Sequence, residues 1–303
     1  MFKLKEVHRD LRNLTVGKGT RKTSTVSLLK RKKLFMVDYT FLDKIPLHRD
    51  YVFYSPQVLL ALASDGTLDL FAILLRTNKK KKSHIVTKET SANKLLFARM
   101  HVGVADTIAH QAVNHLGLHF MIEPVDIARK RYLTPYFGEN HGINDLLKAH
   151  LEGTIFVNWY GRETLLGFNE SYFNTLFTIG DDGFTKQVGQ FLDFRDLNFP
   201  KRMKGKGLDE DESDGIKHFY YRTDGFRLWK MLNKYVKKAV KKVYPSEESF
   251  LNDDKIKEFI VSLGDPKRGN IRGWPTSINK TADLVKTLTM VIFAASVQHQ
   301  VNL

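Results

Sequence analysis

The sequence predicts a mainly α-helical protein with a small β-hairpin or sheet near its amino-terminal end. Residues 104–116 follow a helical pattern without Gly or Pro, and their apolar side chains cover more than one face, as in a helix that crosses a domain. Residues 224–240 follow a second, amphipathic helical pattern. Between residues 51 and 78, two apolar runs flank Asp65-Gly66, a dipeptide typical of a hairpin turn.

Composition limits the chemistry that the chain can carry. The chain has 303 residues, 42% of them hydrophobic, which is enough for the core of one large domain or two small ones. It has no cysteine, which excludes disulfides, thiolate metal ligands and cysteine nucleophiles. Any metal must then be held by His, Asn, Asp, Glu or a terminal carboxylate, a donor set that suits iron, manganese or zinc.

The net charge of +15 raises the question of an anionic partner. The excess Lys and Arg residues are scattered, and no nucleic-acid motif lies between them. They include Lys30–Lys33, Lys79–Lys82, Lys237, Lys238, Lys241 and Lys242. We therefore expect no nucleic-acid partner, and a mostly solvated basic surface that is compatible with peripheral contact with an acidic membrane. The amino terminus lacks a signal-peptide core and the apolar runs are too short to span a bilayer, so we expect a cytoplasmic protein.

In chain order, residues 1–33 are basic and weakly patterned, and we expect a mobile or partly helical lead-in that is disordered in part. Residues 34–303 are expected to be the folded part. Leu34–Pro46 begins as a strand and turns at Pro46, and the hairpin follows it. Lys79–Lys82 lie in the next loop. Asp224 is the expected N-cap of the amphipathic helix.

The histidines of the first helical pattern are the strongest candidates for a site. His115 and His119 are four residues apart, and Glu123 is four further on, so a regular helix places all three on one face. This set resembles a two-His-one-carboxylate metal site. His110 is five residues before His115, about 140° away around an α-helix. From spacing alone, a metal would be held by the His115 and His119 pair, and hydrogen-bonded core histidines are the alternative.

Two segments resemble the lipoxygenase family. HQAVNHLGLHFMIEPVDIA is similar to the iron-binding helix of lipoxygenases, and the last 31 residues, GWPTSINKTADLVKTLTMVIFAASVQHQVNL, resemble the helix that completes its site. The matches in the last segment are Gly273, Pro275, Thr281, Leu284, Leu288, Thr289, Ile292, Phe293, Ser296, Gln298 and His299. The resemblance implies that residues 34–303 are part of the large helical lipoxygenase catalytic domain, of the animal or coral R-lipoxygenase type.

The resemblance also implies roles for individual residues. His115, His119 and His299 would bind one non-haem iron, with Asn302 as a weaker fourth ligand. His110, Gln111 and Glu123 would be structural or would support the ligands, and His141 and His150 would be hydrogen-bonded structural residues. Gly161 matches the place where the family has Ala or Gly, and Gly there accompanies R-configured products. Close helix packing is the alternative explanation for Gly161, since Gly inside a helix costs about 1 kcal/mol relative to Ala.

The activity implied is that of a mononuclear iron dioxygenase that adds O2 to polyunsaturated fatty acids to give R hydroperoxides, an oxylipin-forming lipid oxidation. Three alternatives remain open. The chain would be a lipoxygenase remnant that binds lipid or metal without turnover, a basic interaction protein without a metal, or a zinc hydrolase that uses His115, His119 and Glu123.

The sequence departs from the family pattern in three places. The step from His115 to His119 has three intervening residues where the family has four and a π-type turn, so we expect a regular helix. Leu303 lies four residues after His299, where the family has Asn or His, and Asn302 lies three after it. The family's final ligand is the carboxylate of a terminal Ile beyond a further helical region. We therefore expect a fragment, an incomplete gene model or a decayed relative that lacks this region and the family's amino-terminal β-sandwich.

Overall fold

The computed structural model describes residues 4–17, 22–47, 52–76, 83–134, 140–166, 172–180, 183 and 192–301. The backbone contacts divide the chain into two compact units. The first comprises Met1–His110, Tyr172–Gln187 and Met203–Arg222, and the second comprises Gln111–Ser171, Val188–Arg202 and Thr223–Leu303. Residues on both sides of the predicted boundary at residue 34 belong to the first unit. The predicted class, mainly α with a small antiparallel sheet, is confirmed.

The first unit contains the described strands of the protein. Their bounds are β1 Thr15–Val16, β2 Thr23–Ser24, β3 Leu34–Asp38, β4 Gln57–Leu62, β5 Leu68–Arg76 and β6 Ser83–Val86. β1 pairs with β2, and β3 to β6 form an antiparallel sheet in sequence order. The predicted hairpin is confirmed, because β4 pairs with β5 from Gln57 opposite Leu74 to Leu62 opposite Leu68. Gly66 takes φ +89° in the turn, a conformation that strains other residues.

Helices cover both faces of this sheet. The helices of the first unit include α1 Arg9–Arg12, α2 Thr25–Lys30, α3 Ala92–Ile108 and α7 Tyr172–Leu176. Leu59 and Leu74 pack with Leu11 and Leu28 on one face. On the other face, Val58, Ile73 and Leu75 pack with Ala98 of α3. Burial on both faces explains why β4 and β5 are nearly continuous apolar runs in the sequence.

The described part of the predicted lead-in contains short helices and packs on the sheet. Leu11 and Leu28 are buried in the sheet core, and the hydroxyl of buried Thr25 donates to the carbonyl of Leu11 at 2.7 Å. β1 has 2 residues and α2 has 6, and elements this short give no periodic signal. The charge run Lys79–Lys82 lies outside the described residues.

The second unit is built from helices around one apolar core. Their bounds are α4 Leu116–Ala128, α5 Gly142–Leu151, α6 Thr154–Thr164, α10 Glu247–Leu251, α11 Asp254–Gly264, α12 Thr281–Phe293 and α13 His299–Val301. α8 spans Phe199–Gly205 and α9 spans Tyr220–Val243, and Met203–Gly205 of α8 and Tyr220–Arg222 of α9 are counted with the first unit. Three π-helical segments, Ala109–His115, Arg129–Leu133 and Ala294–Gln298, lie directly next to α-helices. The core includes Val125, Ile143, Val236, Phe259 and Leu288.

α9 begins earlier than the sequence indicated. Asp224, the expected N-cap, is an exposed residue inside the helix, which starts at Tyr220. The buried Arg222 fixes the first turn, because its guanidinium pairs with Asp214 and donates to the carbonyl of Ile216 at 2.8 Å.

Two close approaches hold helices of the second unit together. A Cβ built on Gly225 of α9 would lie 2.2 Å from Phe199, which is fully buried. His141 donates from Nε2 to Asp253 at 2.7 Å, and Tyr244 donates to the same carboxylate at 2.8 Å. His141 thus has the structural role expected of it.

None of the helices in the described ranges combines the length and the apolar content needed to cross a membrane.

Candidate metal centre

Three histidines of the second unit meet at one point. The Nε2 atoms of His115 and His119 are 3.2 Å apart, those of His115 and His299 are 3.4 Å apart, and those of His119 and His299 are 3.0 Å apart. Nitrogens bound to one ion at about 2.1 Å and separated by about 90–110° lie about 3.0–3.4 Å from one another. The three Nε2 atoms therefore have the spacing of ligands to a single metal ion.

Hydrogen-bond partners face Nδ1 of two of these rings. The amide nitrogen of Asn158 donates to the backbone carbonyl of His119 at 3.2 Å and to Glu123 at 2.9 Å. Its oxygen must then face Nδ1 of His119, at 2.6 Å, and accept that proton. The side-chain oxygen of Gln111 likewise lies 2.9 Å from Nδ1 of His115. With Nδ1 protonated, each Nε2 directs a lone pair at the common point, and a cation there relieves the repulsion between these lone pairs.

The surroundings of His299 favour the neutral form of its imidazole. Burial, and secondarily the nearby His119, lower the pKa of His299, so its imidazole is neutral at pH 7. A neutral imidazole is the form that binds a metal. The donor set present, three imidazoles without thiolates, fits iron, and also fits zinc and copper.

π-helical backbone precedes two of the three histidines. The Ala109–His115 segment ends at His115, and the Ala294–Gln298 segment ends directly before His299. α4 begins at Leu116, so the step to His119 is regular α-helix as expected, but the helix as a whole is not regular because it widens upstream of His115. π segments are rare in proteins and concentrate at functional sites.

Glu123 is directed away from the cluster. Its carboxylate accepts from Arg162 at 2.7 and 3.0 Å and from Asn158 at 2.9 Å. Burial raises the pKa of Glu123, but the hydrogen bonds from Arg162 and Asn158 outweigh it and bring the pKa below the ordinary value of 4.5. The third member of the cluster with His115 and His119 is therefore His299, and not the Glu123 of the alternative zinc site.

A small cavity lies beside the cluster. It measures about 190 Å³ and is lined by Leu118, His119, Ile122, His150, Glu152, Gly153, Thr154, Val157, Asn158, Ala295 and His299. Nδ1 of His150 lies 3.0 Å from the hydroxyl of Ser296 in the π segment before His299, and burial lowers the pKa of His150. His150 therefore supports the ligand-bearing helix, in keeping with its expected structural role.

Two further residues were predicted to take part in the site, Asn302 and Gly161, and neither is seen in contact with the three histidine nitrogens in the described part of the chain. Asn302 lies outside the described residues. Gly161 is on α6, three residues after Asn158, and a Cβ built on it would meet no heavy atom of the described chain within 4 Å. Close helix packing at Gly161 is thus not seen among the described residues.

Sequence reasoning did not assign the function of Asn158. The residue lies 39 positions from His119, so no local pattern connects the two. The spacing offered one clue. Asn158 and Arg162 are four residues apart, and so are His119 and Glu123, so each pair lies on one face of its helix. Two such pairs on neighbouring helices can form hydrogen bonds with each other.

Comparison with known proteins agrees with this geometry. The sequence profile of the family described as Lipoxygenase matches residues 7–303. Lipoxygenase 4, chloroplastic, from Arabidopsis thaliana is 28% identical over 298 residues, which cover 89% of this chain and 32% of that protein. The chain thus spans about a third of the length of this curated relative.

Two solved structures have a similar fold. The coral 8R-lipoxygenase has a TM-score of 0.80 at 23% identity, covering 92% of this chain and 42% of that one. A LOX protein crystallised anaerobically in complex with arachidonate has a TM-score of 0.81 at 22% identity, covering 92% and 43%.

The helical fold brings three histidines together with the spacing of metal ligands. The family profile covers nearly the whole chain, and the chain belongs to the lipoxygenase family.

Proposed function

We propose that this chain carries the iron-binding part of a non-haem iron dioxygenase that acts on polyunsaturated fatty acids. The observation that carries the proposal is the convergence of three Nε2 atoms, of His115, His119 and His299, within 3.4 Å of one another. Asn302 is proposed as a further, weaker ligand. Gln111 and Asn158 hold the protons on Nδ1 of their partner histidines, which leaves Nε2 free for the ion.

The reaction proposed joins one fatty acid and one O2 into one hydroperoxide. A hydrogen atom leaves the doubly allylic carbon, O2 forms a bond to the pentadienyl radical, and an electron and a proton return to complete the hydroperoxide. Iron, when bound, supplies the one-electron chemistry of this sequence. The protein's own contribution is to hold the three imidazoles in place, and Leu118, Ile122, Val157 and Ala295 contribute apolar groups to the adjoining cavity. The related LOX protein that binds arachidonate supports this substrate class.

We further propose that Gly161 directs R stereochemistry. Gly161 follows the His119 partner Asn158 by one turn of α6, and no described atom fills the space where its side chain would be. The similar fold of the coral 8R-lipoxygenase supports this proposal. A Gly161→Ala variant is expected to shift the product toward the S configuration, which chiral chromatography of the hydroperoxides would measure.

The test begins with iron content per chain, measured by elemental analysis after expression with added iron, on the wild type beside His115→Ala and His84→Ala. His84 is an exposed histidine on β6 and controls for nonspecific binding. We expect close to one iron per chain in the wild type and in His84→Ala, and almost none in His115→Ala. Fatty-acid oxygenation is then measured on the iron-loaded wild type. Bound iron without a hydroperoxide product would favour the alternative of a lipoxygenase relative that binds metal without turnover. Absence of iron from the wild type and from both variants would refute the proposal.

A further inference from the structure

One face of α9 is basic along the carboxy-terminal two-thirds of the helix. From Arg227 to Lys242 the sequence is RLWKMLNKYVKKAVKK, with seven basic residues and no Asp or Glu. Val236 and Val240 on the opposite side are buried, at 0% and 1% exposure. The side that faces solvent therefore carries nearly all of this charge.

The exposed side chains have a regular arrangement. At about 100° per residue, Met231, Tyr235, Lys238 and Lys242 fall within a sector of about 60°. Lys234, Lys237 and Lys241 extend this surface to one side. We name these seven residues the basic face. Met231 is 61% exposed and Tyr235 is 50% exposed, so two large apolar side chains stand among the lysines.

The charge of the basic face is not balanced by the described chain. None of its five lysines forms an ion pair with a described residue, whereas Arg129, Arg162 and Arg222 are each paired with a carboxylate. Five adjacent positive charges repel one another, and an anionic surface would remove that repulsion.

We infer that the basic face docks on the surface of an anionic lipid bilayer. Phosphate and carboxylate headgroups complement the lysines, and the boundary between headgroups and acyl chains accommodates Met231 and Tyr235. A nucleic acid would satisfy the lysines through its phosphates, but it offers an exposed methionine no apolar environment. The combination of charge and apolar side chains on one face therefore favours a bilayer.

The position of Tyr235 adds a second argument. Its ring lies 6.4 Å from the ring of His150, which lines the cavity beside His119 and His299. The basic face thus borders the candidate metal centre. Docking itself needs neither metal nor substrate, so the inference does not rest on the proposed function and can be tested on the protein without iron.

The experiment is sedimentation of the chain with vesicles of phosphatidylcholine, with and without phosphatidylserine. The wild type is expected to bind only the vesicles that contain phosphatidylserine, less tightly at high salt. Replacing Lys234, Lys238 and Lys242 with Gln is expected to weaken binding about fivefold for each lysine removed. Met231→Ser combined with Tyr235→Ser should weaken binding at low and high salt alike, because it removes apolar contact and leaves the charge.

The matched control is the triple variant Lys148→Gln, Lys255→Gln and Lys267→Gln, which removes the same charge from exposed positions elsewhere in the second unit. If this control loses as much binding as the α9 variant, net charge rather than the basic face is responsible and the inference fails. It also fails if the α9 variant loses binding to duplex DNA but keeps binding to vesicles. Acetylation of wild-type lysines, with and without vesicles, gives a readout independent of folding: Lys234, Lys238 and Lys242 should be protected.

Discussion

Asn158 determines which nitrogen of His119 faces the cluster. Its amide nitrogen has two acceptors, the carbonyl of His119 and the carboxylate of Glu123, so the amide cannot turn over without losing both. Arg162 in turn holds Glu123 through two hydrogen bonds. The imidazole of His119 is therefore oriented through Asn158 by a charge pair that does not touch the cluster.

Replacing Asn158 with Ala should weaken metal binding. Loss of the carboxamide leaves Nδ1 of His119 without its acceptor and lets the ring turn, and partners of this kind change metal affinity by about 10–100-fold. Equilibrium dialysis against Co(II) would measure the effect. Asn252→Ala, at the exposed end of α10, is the control and should bind as the wild type does. Equal affinity in the two variants would show that Asn158 does not orient the ring.

Alanine substitutions at Gly225 and Gly161 are expected to change the free energy of unfolding in opposite directions. Ala at Gly225 would press its Cβ against Phe199, which Phe226 and Phe293 hold in place, so we expect a loss of about 1–3 kcal/mol in the free energy of unfolding. Ala at Gly161 meets open space among the described residues and should add up to about 1 kcal/mol through helix propensity. Urea unfolding would measure both, and the same sign for both would contradict the packing argument.

At the scale of elements, one carboxylate connects three helices. Asp253 caps α11 by accepting from the backbone N–H groups of Lys255 and Ile256, at 3.0 and 3.2 Å. It also accepts from His141 at the start of α5 and from Tyr244 directly after α9. Burial raises the pKa of Asp253, but these hydrogen bonds outweigh it, and the pKa falls below the ordinary 3.8.

The depressed pKa of Asp253 predicts a pH dependence of stability. A carboxyl whose folded pKa is lowered stabilises the fold above its unfolded pKa, and this contribution disappears as the pH falls through the folded pKa. Asp253→Asn should cost about 1–3 kcal/mol of unfolding free energy at neutral pH. The gap between wild type and variant should narrow below about pH 4. Asp254→Asn, whose side chain is 91% exposed, is the control and should show no such gap.

At the scale of the whole molecule, short sequence patterns were enough to predict individual helices and strands. They were not enough to predict which of these elements contact each other. The hairpin at Asp65-Gly66 and the helix of His115 and His119 could be predicted because turn residues and periodicity lie within a few positions of one another. His299 lies 180 positions from His119, and only the resemblance to lipoxygenases linked the two. The packing of Leu11 and Leu28 on the sheet was missed because isolated apolar residues in short elements carry no pattern.

Metal binding should stabilise the second unit because one ion would connect α4 to α13. A ligand that binds only the folded chain adds about 2.7 kcal/mol at 100 times its dissociation constant. Anaerobic Fe(II) should therefore raise the urea midpoint of the wild type. The rise should be lost in His299→Ala, where two histidines on one helix remain, and kept in His84→Ala, whose site is intact. Because His115 and His119 are close in the sequence, they can bind metal weakly in the unfolded chain as well, so the stabilisation depends on His299. A full Fe(II) shift in His299→Ala would mean that the ion does not join the two helices.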